Sequence, residues 1–238
     1  EQATGGVRQA VILSEATGGS AVEGSRAASA ETACGPMAAE GRLAYRFAKR
    51  AFDIGFSACA IAALLIPSII LCIAIRLESP GCPIYSQKRV GRIGRDGEVA
   101  TFDMYKFRSM SADADERLSE LAELNEADGP LFKIKDDPRV TRIGRFIRKH
   151  SIDELPQFLN CLMGQLSCVG PRPPLPSEVA QYDARAMRRL SVKPGLTGYW
   201  QVRGRSDTGF EEMVDLDLKY IEERSFLVDL KVIAKTVA

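Results

Sequence analysis

The longest apolar stretch in the chain runs from Ile54 to Ile75 without a charged residue. As a helix rising 1.5 Å per residue it would measure about 33 Å, enough to cross the hydrocarbon core of a bilayer. Pro67 interrupts it near the middle, and a proline inside a helix removes a backbone donor and kinks the axis. The pattern therefore predicts a membrane segment with a bend at Pro67.

Basic residues flank this apolar stretch on both sides. They are Arg42, Arg46, Lys49 and Arg50 before it and Arg76, Lys88 and Arg89 after it. Because cationic flanks are kept on the cytoplasmic side of a membrane, the two ends are expected on the same side. The sequence thus predicts a re-entrant helical hairpin over residues 42–79, which enters one leaflet and returns. A tilted crossing helix with a proline kink is the alternative.

Polar and apolar residues alternate on either side of a turn-rich segment within residues 83–107. The alternation favours strands over Ile84–Gln87 and Val99–Phe107. Turn residues lie between them, namely Gly91, Gly94, Asp96 and Gly97. This stretch is therefore predicted to form a β-hairpin.

Helical periodicity accounts for most of the remaining chain. Ser111–Ala127 is expected to form an acidic amphipathic helix and Ser177–Leu190 a polar helix. Met213–Val237 is expected to form an amphipathic helix that either covers the core or rests on a membrane surface. Together these elements predict a mostly helical α+β fold, in which residues 80–238 form a small cytoplasmic domain containing the β-hairpin.

Residues 1–41 show no sustained hydrophobic period and are rich in Ala, Gly, Ser and Thr. Five acids against two bases give them a net charge of −3, so residues 42–238 carry +4 and the whole chain +1. They have too few large apolar side chains to offset the conformational entropy of folding, which predicts a disordered N-terminal tail. The segment also lacks the basic, apolar and cleavage-site succession of a secretory signal.

The six cysteines include no C-x-x-C pair, and His150 is the only histidine. These observations argue against a zinc site and against a catalytic Cys/His pair. Reduced thiols in a protein that faces the cytoplasm explain the cysteines most simply.

Two adjacent carboxylates, Asp153 and Glu154 (the acid pair), precede apolar residues at helical spacing. These residues are Leu155, Phe158, Leu159, Leu162 and Met163. They predict a buried helix face with the acid pair near the helix N-terminus. Capping is the structural alternative, because Ser151 and Glu154 fit an S-x-x-E capping box. A helix starting at Ser151 would place Pro156 too far inside, so a start nearer Asp153 is expected.

Cations bracket the acid pair. Upstream are Arg139, Arg142, Arg145, Arg148 and Lys149, and downstream is Arg172 in a rigid Gly-Pro-Arg-Pro-Pro run. Guanidinium groups and helix N-termini hold phosphate oxygens, and a carboxylate binds Mg²⁺ through oxygen. The arrangement therefore suits a polyanionic ligand carried with a metal ion. A helix side that faces solvent or anionic lipid explains the arginines equally well.

Two further segments carry candidate binding residues. Tyr105 to Arg108 interleaves cations with aromatics, which either presents charge toward phosphate or reflects the alternation of a half-buried strand. Lys193 to Arg205 combines three glycines, the only tryptophan and two arginines, so that backbone can approach a ligand closely and a ring can stack. Packing is the alternative for this tryptophan.

Five motifs in this order resemble those of the monotopic phosphoglycosyl transferases, the bacterial sugar transferases that start polysaccharide and glycoconjugate assembly. They are Lys49 to Asp53 leading into the apolar run with Pro67, Tyr105 to Met110 (YKFRSM), Ser151 to Gln157 (SIDELPQ), Val169 to Pro173 (VGPRP) and Pro194 to Arg205 (PGLTGYWQVRGR). The resemblance covers about Tyr45 to Val237. One departure is Ile66, which stands before Pro67 where many relatives carry a serine.

The resemblance implies transfer of sugar-1-phosphate from a nucleoside diphosphate sugar, usually a UDP-sugar, to polyprenyl phosphate in the bilayer, with release of UMP. It also implies that Asp153 is the nucleophile on the β-phosphoryl group, forming a covalent intermediate, and that Glu154 helps to hold Mg²⁺. The implied substrate-binding residues are Arg148, Arg172, Lys106, Arg108, Gln201 and Arg205. A helix N-terminus and nearby arginines are expected to keep Asp153 ionised.

The implied location is the cytoplasmic face of the bacterial inner membrane, with membrane lipids as partners; whether the protein forms a homo-oligomer is open. A non-catalytic, membrane-attached nucleotide-binding regulatory protein is the alternative. It would explain the basic residues but not an acid pair set between cations. Nucleic-acid binding is disfavoured, because the chain is barely basic overall and carries a membrane segment.

Overall fold

The computed structural model describes residues 43–94, 97–114, 116–117, 134, 137–204 and 209–237. The expected N-terminal tail, residues 1–41, and most of the expected acidic helix, Ser111–Ala127, lie outside the described residues. The described part is mostly helical with two small sheets, which confirms the α+β prediction.

The apolar stretch forms one long helix, α1, Leu43–Glu78, of 36 residues. By length and composition it is able to cross a membrane. Pro67 lies inside it, yet the chain continues as one helix, whereas the sequence predicted a helical hairpin with a bend at Pro67. One lost backbone bond is a small fraction of so long a helix, which explains why it continues. Only Asp53, Ser57 and Ile75 are buried along this helix. The re-entry of the segment into one leaflet stays a prediction.

The predicted β-hairpin is present. β1, Ile84–Ile93, pairs antiparallel with β2, Val99–Phe107. β1 is longer than predicted because Gly91 lies within an irregularity of the strand instead of ending it. Buried Phe102 and Met104 alternate along β2 with more exposed residues, as the period of two predicted.

Two helices follow the hairpin in the described chain and enclose the acid pair. They are α2, Arg142–Lys149, and α3, Gln157–Met163, with one 3₁₀ turn, Ile152–Glu154, between them. The Glu78 carboxylate at the end of α1 accepts the first two backbone N–H groups of α2 at 2.9 and 3.0 Å. This cap ties α2 to the end of α1.

The predicted buried face of α3 is wrong. Three of its apolar side chains are exposed, namely Leu159, Leu162 and Met163. The helix buries polar Asn160 instead, which accepts from Tyr105 N at 3.0 Å and donates to the Asp103 carbonyl at 2.7 Å. These bonds satisfy the buried amide and fasten α3 to β2. The apolar side lies beside α1, where the Phe158 and Phe56 rings are 5.9 Å apart.

Beyond α3 the described chain forms two strands and several helices, most of them short. They are β3 (Ser167–Val169), α4 (Pro176–Val179), α5 (Ala184–Met187), a 3₁₀ turn (Arg188–Ser191), β4 (Gly195–Thr197), α6 (Tyr199–Gly204), α7 (Phe210–Glu223) and α8 (Phe226–Val237). The prediction of one polar helix over Ser177–Leu190 is wrong, because Asp183 starts a new helix by accepting from Ala186 N. The helix predicted over Met213–Val237 is two helices with a short break.

β3 and β4 form a parallel two-stranded sheet that the sequence did not predict. Gly195 lies so close to the backbone of Gly170 that no side chain would fit between the strands. The sheet therefore sets the VGPRP and PGLTGYW motifs side by side. The largest core cluster packs against it and includes Val169, Val214, Tyr220, Ile221 and Val232.

Both ends of α1 pack against the same domain. Near its start, Lys49 Nζ and Tyr45 OH donate to the buried Asp229 carboxylate of α8 at 2.8 and 2.9 Å. Near its end, Ile75 packs with Phe107 of β2 and with α2. Most side chains between these contacts are exposed.

Candidate active site

A strained turn delivers the acid pair. Ser151 has a φ of 55°, in the left-handed region, and is the one described residue other than glycine with positive φ. This conformation costs on the order of 1 kcal/mol and is found most often at functional sites. Glu154 N then donates to the Ser151 carbonyl at 3.3 Å, closing the 3₁₀ turn. The sequence predicted a helix that starts near Asp153. In the structure α3 begins only after Pro156, so the acid pair precedes the helix instead of lying in its first turn.

Lys106 and Arg148 bring positive charge to the acid pair. Lys106 Nζ lies 3.4 Å from Glu154 Oε1. Arg148, at the end of α2, donates from Nε to the buried Ser109 hydroxyl at 2.8 Å, and its charge acts on Asp153. The structure therefore brings two predicted binding residues to the two predicted catalytic acids.

Burial raises the pKa of Asp153 above the ordinary aspartate value of 3.8. The charge of Lys106 opposes this shift, neighbouring Glu154 adds to it, and Arg148 opposes it. The cations thus act in the direction that the sequence predicted, but desolvation outweighs them. A half-buried carboxylate with a poorly solvated charge, set beside cations, is typical of catalytic sites.

Arg172 lies in the loop after β3, which several contacts hold rigid. Its Nη1 donates to the buried Glu178 carboxylate at 2.9 Å. Gly170 N donates to the backbone carbonyl of the last residue of β4 at 2.9 Å. Val90 N of β1 donates to the Pro174 carbonyl, also at 2.9 Å. The loop can therefore present a guanidinium from a fixed position, which suits a diphosphate.

Three other predicted binding residues are placed elsewhere or are not described. The Arg108 guanidinium donates to the carbonyl oxygens of Ser79 and Pro80, just after α1. Gln201 is half-buried in α6. Arg205 lies outside the described residues. The donors of Arg108 thus stabilise the segment that directly follows α1.

Three residues around the site were missed by sequence reasoning. Ser109 orients Arg148, and it stands within YKFRSM, the one signal that could have pointed to it. Glu178 pairs with Arg172. Arg89 is buried in β1 and donates to the carbonyl of Pro173, the residue after Arg172. A buried arginine in a strand and an acid at the start of a short helix carry no sequence signal of their own.

The donor set fits a Mg²⁺ ion shared with a phosphorylated ligand. In the part of the chain that the structure describes, no group of three or more His, Cys, Asp or Glu side chains could hold a metal ion. Mg²⁺ commonly binds through one or two carboxylates, with waters and substrate phosphates completing its shell. The carboxylate of Glu154, the predicted metal ligand, suits that mode of binding.

A sequence profile of bacterial sugar transferases matches residues 44–238. The chain belongs to this family. The membership confirms the resemblance that the five motifs indicate, and the matched region contains every described element of the structure apart from Leu43, the first residue of α1.

Three relatives illustrate the range of this transferase family. Galactosyl transferase CpsE of Streptococcus agalactiae is 47% identical over 203 residues, 82% of this chain and 42% of the relative. UDP-glucose:undecaprenyl-phosphate glucose-1-phosphate transferase of Escherichia coli is 40% identical over 202 residues, 81% of this chain and 40% of the relative. Exopolysaccharide production protein ExoY of Rhizobium meliloti is 38% identical over 196 residues, 80% of this chain and 84% of the relative. The chain thus spans less than half the length of the first two.

Because its pKa is raised, ionised Asp153 is predicted to lower the free energy of unfolding at neutral pH. Because the folded state binds this proton more tightly than the unfolded state, stability falls as pH rises from about 4 through the raised pKa. Asp153→Asn should therefore melt at a higher temperature than wild type at pH 7, with the difference shrinking toward pH 4. Thermal melts of both proteins in detergent across this range test the expectation.

Asp113→Asn is the control for these melts. Hydrogen bonding to Ser111 lowers the pKa of this exposed aspartate, so the control should not be stabilised at pH 7. An Asp153→Asn melting temperature at or below wild type at pH 7 would contradict the burial argument.

Proposed function

We propose that this bacterial sugar transferase transfers sugar-1-phosphate from a UDP-sugar to membrane polyprenyl phosphate, giving a polyprenyl diphosphate sugar and UMP. The acid pair carries the proposal: Asp153 is half-buried with a raised pKa, beside Glu154 and the cations of Lys106 and Arg148. The name of the Escherichia coli relative supports both substrate classes. The name of ExoY supports a role in exopolysaccharide production.

In the first step an Asp153 carboxylate oxygen attacks the β-phosphorus of the donor. A bond forms between this oxygen and phosphorus, while the bond from phosphorus to the bridging oxygen breaks. UMP leaves with the electron pair, and the enzyme keeps the sugar phosphate as an acyl phosphate. Poor solvation of the Asp153 charge favours the attack, because the reaction removes that charge from the carboxylate.

In the second step a phosphate oxygen of polyprenyl phosphate attacks the same phosphorus. The bond to Asp153 breaks, and the carboxylate is regenerated as the polyprenyl diphosphate sugar forms. Dividing the transfer in this way lets one site serve a soluble donor and a membrane acceptor in turn. UMP is therefore released before the acceptor reacts, which gives ping-pong kinetics.

The surrounding charges stabilise the phosphoryl group during both steps. Lys106 and Arg148 lie beside the acid pair, and Arg172 would hold diphosphate oxygens from its rigid loop. Glu154 would hold Mg²⁺, with Lys106 at 3.4 Å helping to orient its carboxylate. When bound, the ion neutralises charge on the diphosphate.

The same proposal places the domain on the cytoplasmic face of the inner membrane, with α1 re-entrant. Both ends of α1 contact this one domain, which supports keeping them on one side of the bilayer. Ser57 is buried, and Leu71 packs against the cluster around Ile75. The part of α1 between them, about 14 residues or roughly 21 Å, is shorter than the hydrocarbon core of about 30 Å. Exposed apolar residues next to α1 would continue the membrane contact; they are Leu159, Leu162, Met163, Phe226, Leu227 and Leu230.

Substitution of the acid pair tests the chemistry. Asp153→Asn should abolish UMP release from a UDP-sugar in the presence of Mg²⁺ and polyprenyl phosphate, because an amide lacks the nucleophilic oxygen. Glu154→Gln should fail mainly through metal binding and recover in part at high Mg²⁺. UMP release with a panel of UDP-sugars measures both effects and identifies the preferred donor.

Glu212→Gln, an exposed acid of α7, is the matched control and should keep wild-type turnover. Substantial turnover by Asp153→Asn would exclude the covalent step and favour direct attack by the lipid phosphate. If wild type released UMP from no donor, the enzyme proposal would fail. The non-catalytic nucleotide-binding alternative would then be preferred.

Cysteine labelling tests the membrane topology. Cys82 and a cysteine introduced at Ala44 flank the membrane segment, and both positions are exposed. Buried Cys161 and Cys168 can stay, while the other native cysteines, Cys34, Cys59 and Cys72, are replaced. In separate variants that keep one flanking cysteine each, a membrane-impermeant maleimide should label both positions only from the cytoplasmic side. Labelling from opposite sides would establish a crossing helix.

A further inference from the structure

Arg89 is an arginine buried inside a β-strand. Its side chain is 7% exposed. Nη2 donates to Gln87 Oε1 at 2.7 Å, and Nη1 donates to the Pro173 carbonyl at 3.1 Å. Burying a guanidinium is costly unless its donors are satisfied, so a strand that keeps one there needs a compensating contact. Here that contact is with the loop that carries Arg172.

β1 holds this loop at two successive residues. The Arg89 side chain binds the Pro173 carbonyl, and the backbone N–H of Val90 donates to the Pro174 carbonyl at 2.9 Å. Pro173 directly follows Arg172 in the chain. Because Pro173 adjoins Arg172, holding the Pro173 carbonyl restricts the backbone from which the Arg172 side chain leaves.

The two guanidinium groups share one buried acid. Glu178 is 1% exposed and accepts from Arg172 Nη1 at 2.9 Å. Its charge also favours the cationic form of Arg89, whereas burial and the charge of Arg172 lower the Arg89 pKa to about 10. Among the described residues Arg89 Nε has no hydrogen-bond partner although it is buried. Of the two guanidinium groups, only that of Arg172 contacts the Glu178 carboxylate. Arg89 is influenced by the charges of Glu178 and Glu154 without an ion pair of its own among the described residues. An anionic ligand beside the loop would therefore be attracted by both guanidinium groups.

We propose that Arg89 is a positioning residue for donor binding: its fork between Gln87 and the Pro173 carbonyl aims Arg172 at the diphosphate of the nucleotide sugar. The inference rests on the proposed function, in which Arg172 holds diphosphate oxygens. Arg89 acts through Arg172 and the loop backbone, so its contribution to donor binding disappears when Arg172 is absent.

A double-mutant cycle tests this dependence. Arg89→Lys keeps a positive charge but cannot span both acceptors, because an ammonium lacks the planar fork. It is combined with Arg172→Ala, and kcat and KM for the UDP-sugar are measured by UMP release in membranes, alongside the melting temperature. Arg92→Lys is the matched control, since Arg92 lies on the same strand and is exposed.

Arg89→Lys should raise KM for the UDP-sugar by about tenfold, the effect expected for a lost hydrogen bond to a charged group, with a smaller change in kcat. In the Arg172→Ala background it should change KM less than twofold. Arg92→Lys should leave KM unchanged in both backgrounds. A purely structural role predicts equal effects with and without Arg172, and that result would overturn the proposal.

A second variant covers the case in which Arg89→Lys does not fold. Gln87→Met removes one acceptor of Arg89 without burying a new charge, and it should raise KM in the same Arg172-dependent way. An unchanged KM in well-folded Gln87→Met and Arg89→Lys proteins would also overturn the proposal. Different results would contradict the proposed function. They are the absence of UMP release by the wild-type protein, or a KM for the UDP-sugar that is unchanged in Arg172→Ala.

Discussion

The Asp229 carboxylate is 2% exposed and accepts from Tyr45 OH at 2.9 Å and from Lys49 Nζ and Tyr220 OH at 2.8 Å. These donors come from the start of α1 and from α7, while the acceptor belongs to α8. Removing one partner of a buried ion pair typically costs about 3–5 kcal/mol, because the remaining charge stays buried without compensation. The start of α1 is therefore fixed to the domain by a polar contact as well as by apolar packing.

The fixed helix also supports both sides of the acid pair. Glu78 caps α2, which supplies Arg148. Arg50 donates to the last carbonyl oxygens of α3, including that of Cys161 at 2.6 Å. The two helices that flank Asp153 thus each bind a different end of α1. This explains how a site assembled from short helices and turns keeps a defined position relative to the membrane segment.

Local patterns predicted the elements that depend on local physics. The β-hairpin followed from alternation and turn residues, and a long uncharged run predicted an apolar helical segment, although not that it continues past Pro67 as one helix. The α3 prediction was wrong because Leu159, Leu162 and Met163 were assigned to a protein core, although apolar residues beside a membrane helix can be exposed. Periodicity identifies an apolar face without saying what covers it.

The candidate active site likewise combines residues that local sequence identifies with contacts that it does not. Asp153 and Glu154 were recognisable because acids between cations are unusual, and the motif order identified the family. The contacts that position the groups of the site join distant parts of the chain. Lys106 of β2 contacts Glu154, and Arg89 of β1 contacts the loop that carries Arg172. The dominance of burial in the Asp153 pKa likewise depends on packing that spacing alone does not reveal.

We propose that Asp153 carries the sugar phosphate covalently between donor and acceptor. The decisive experiment incubates the enzyme with labelled UDP-sugar and Mg²⁺ but without polyprenyl phosphate and then locates any attached label by mass spectrometry. We expect sugar phosphate on Asp153, with release of UMP and loss of the label when polyprenyl phosphate is added. Label on another residue, or UMP formation that always requires the acceptor, would contradict it.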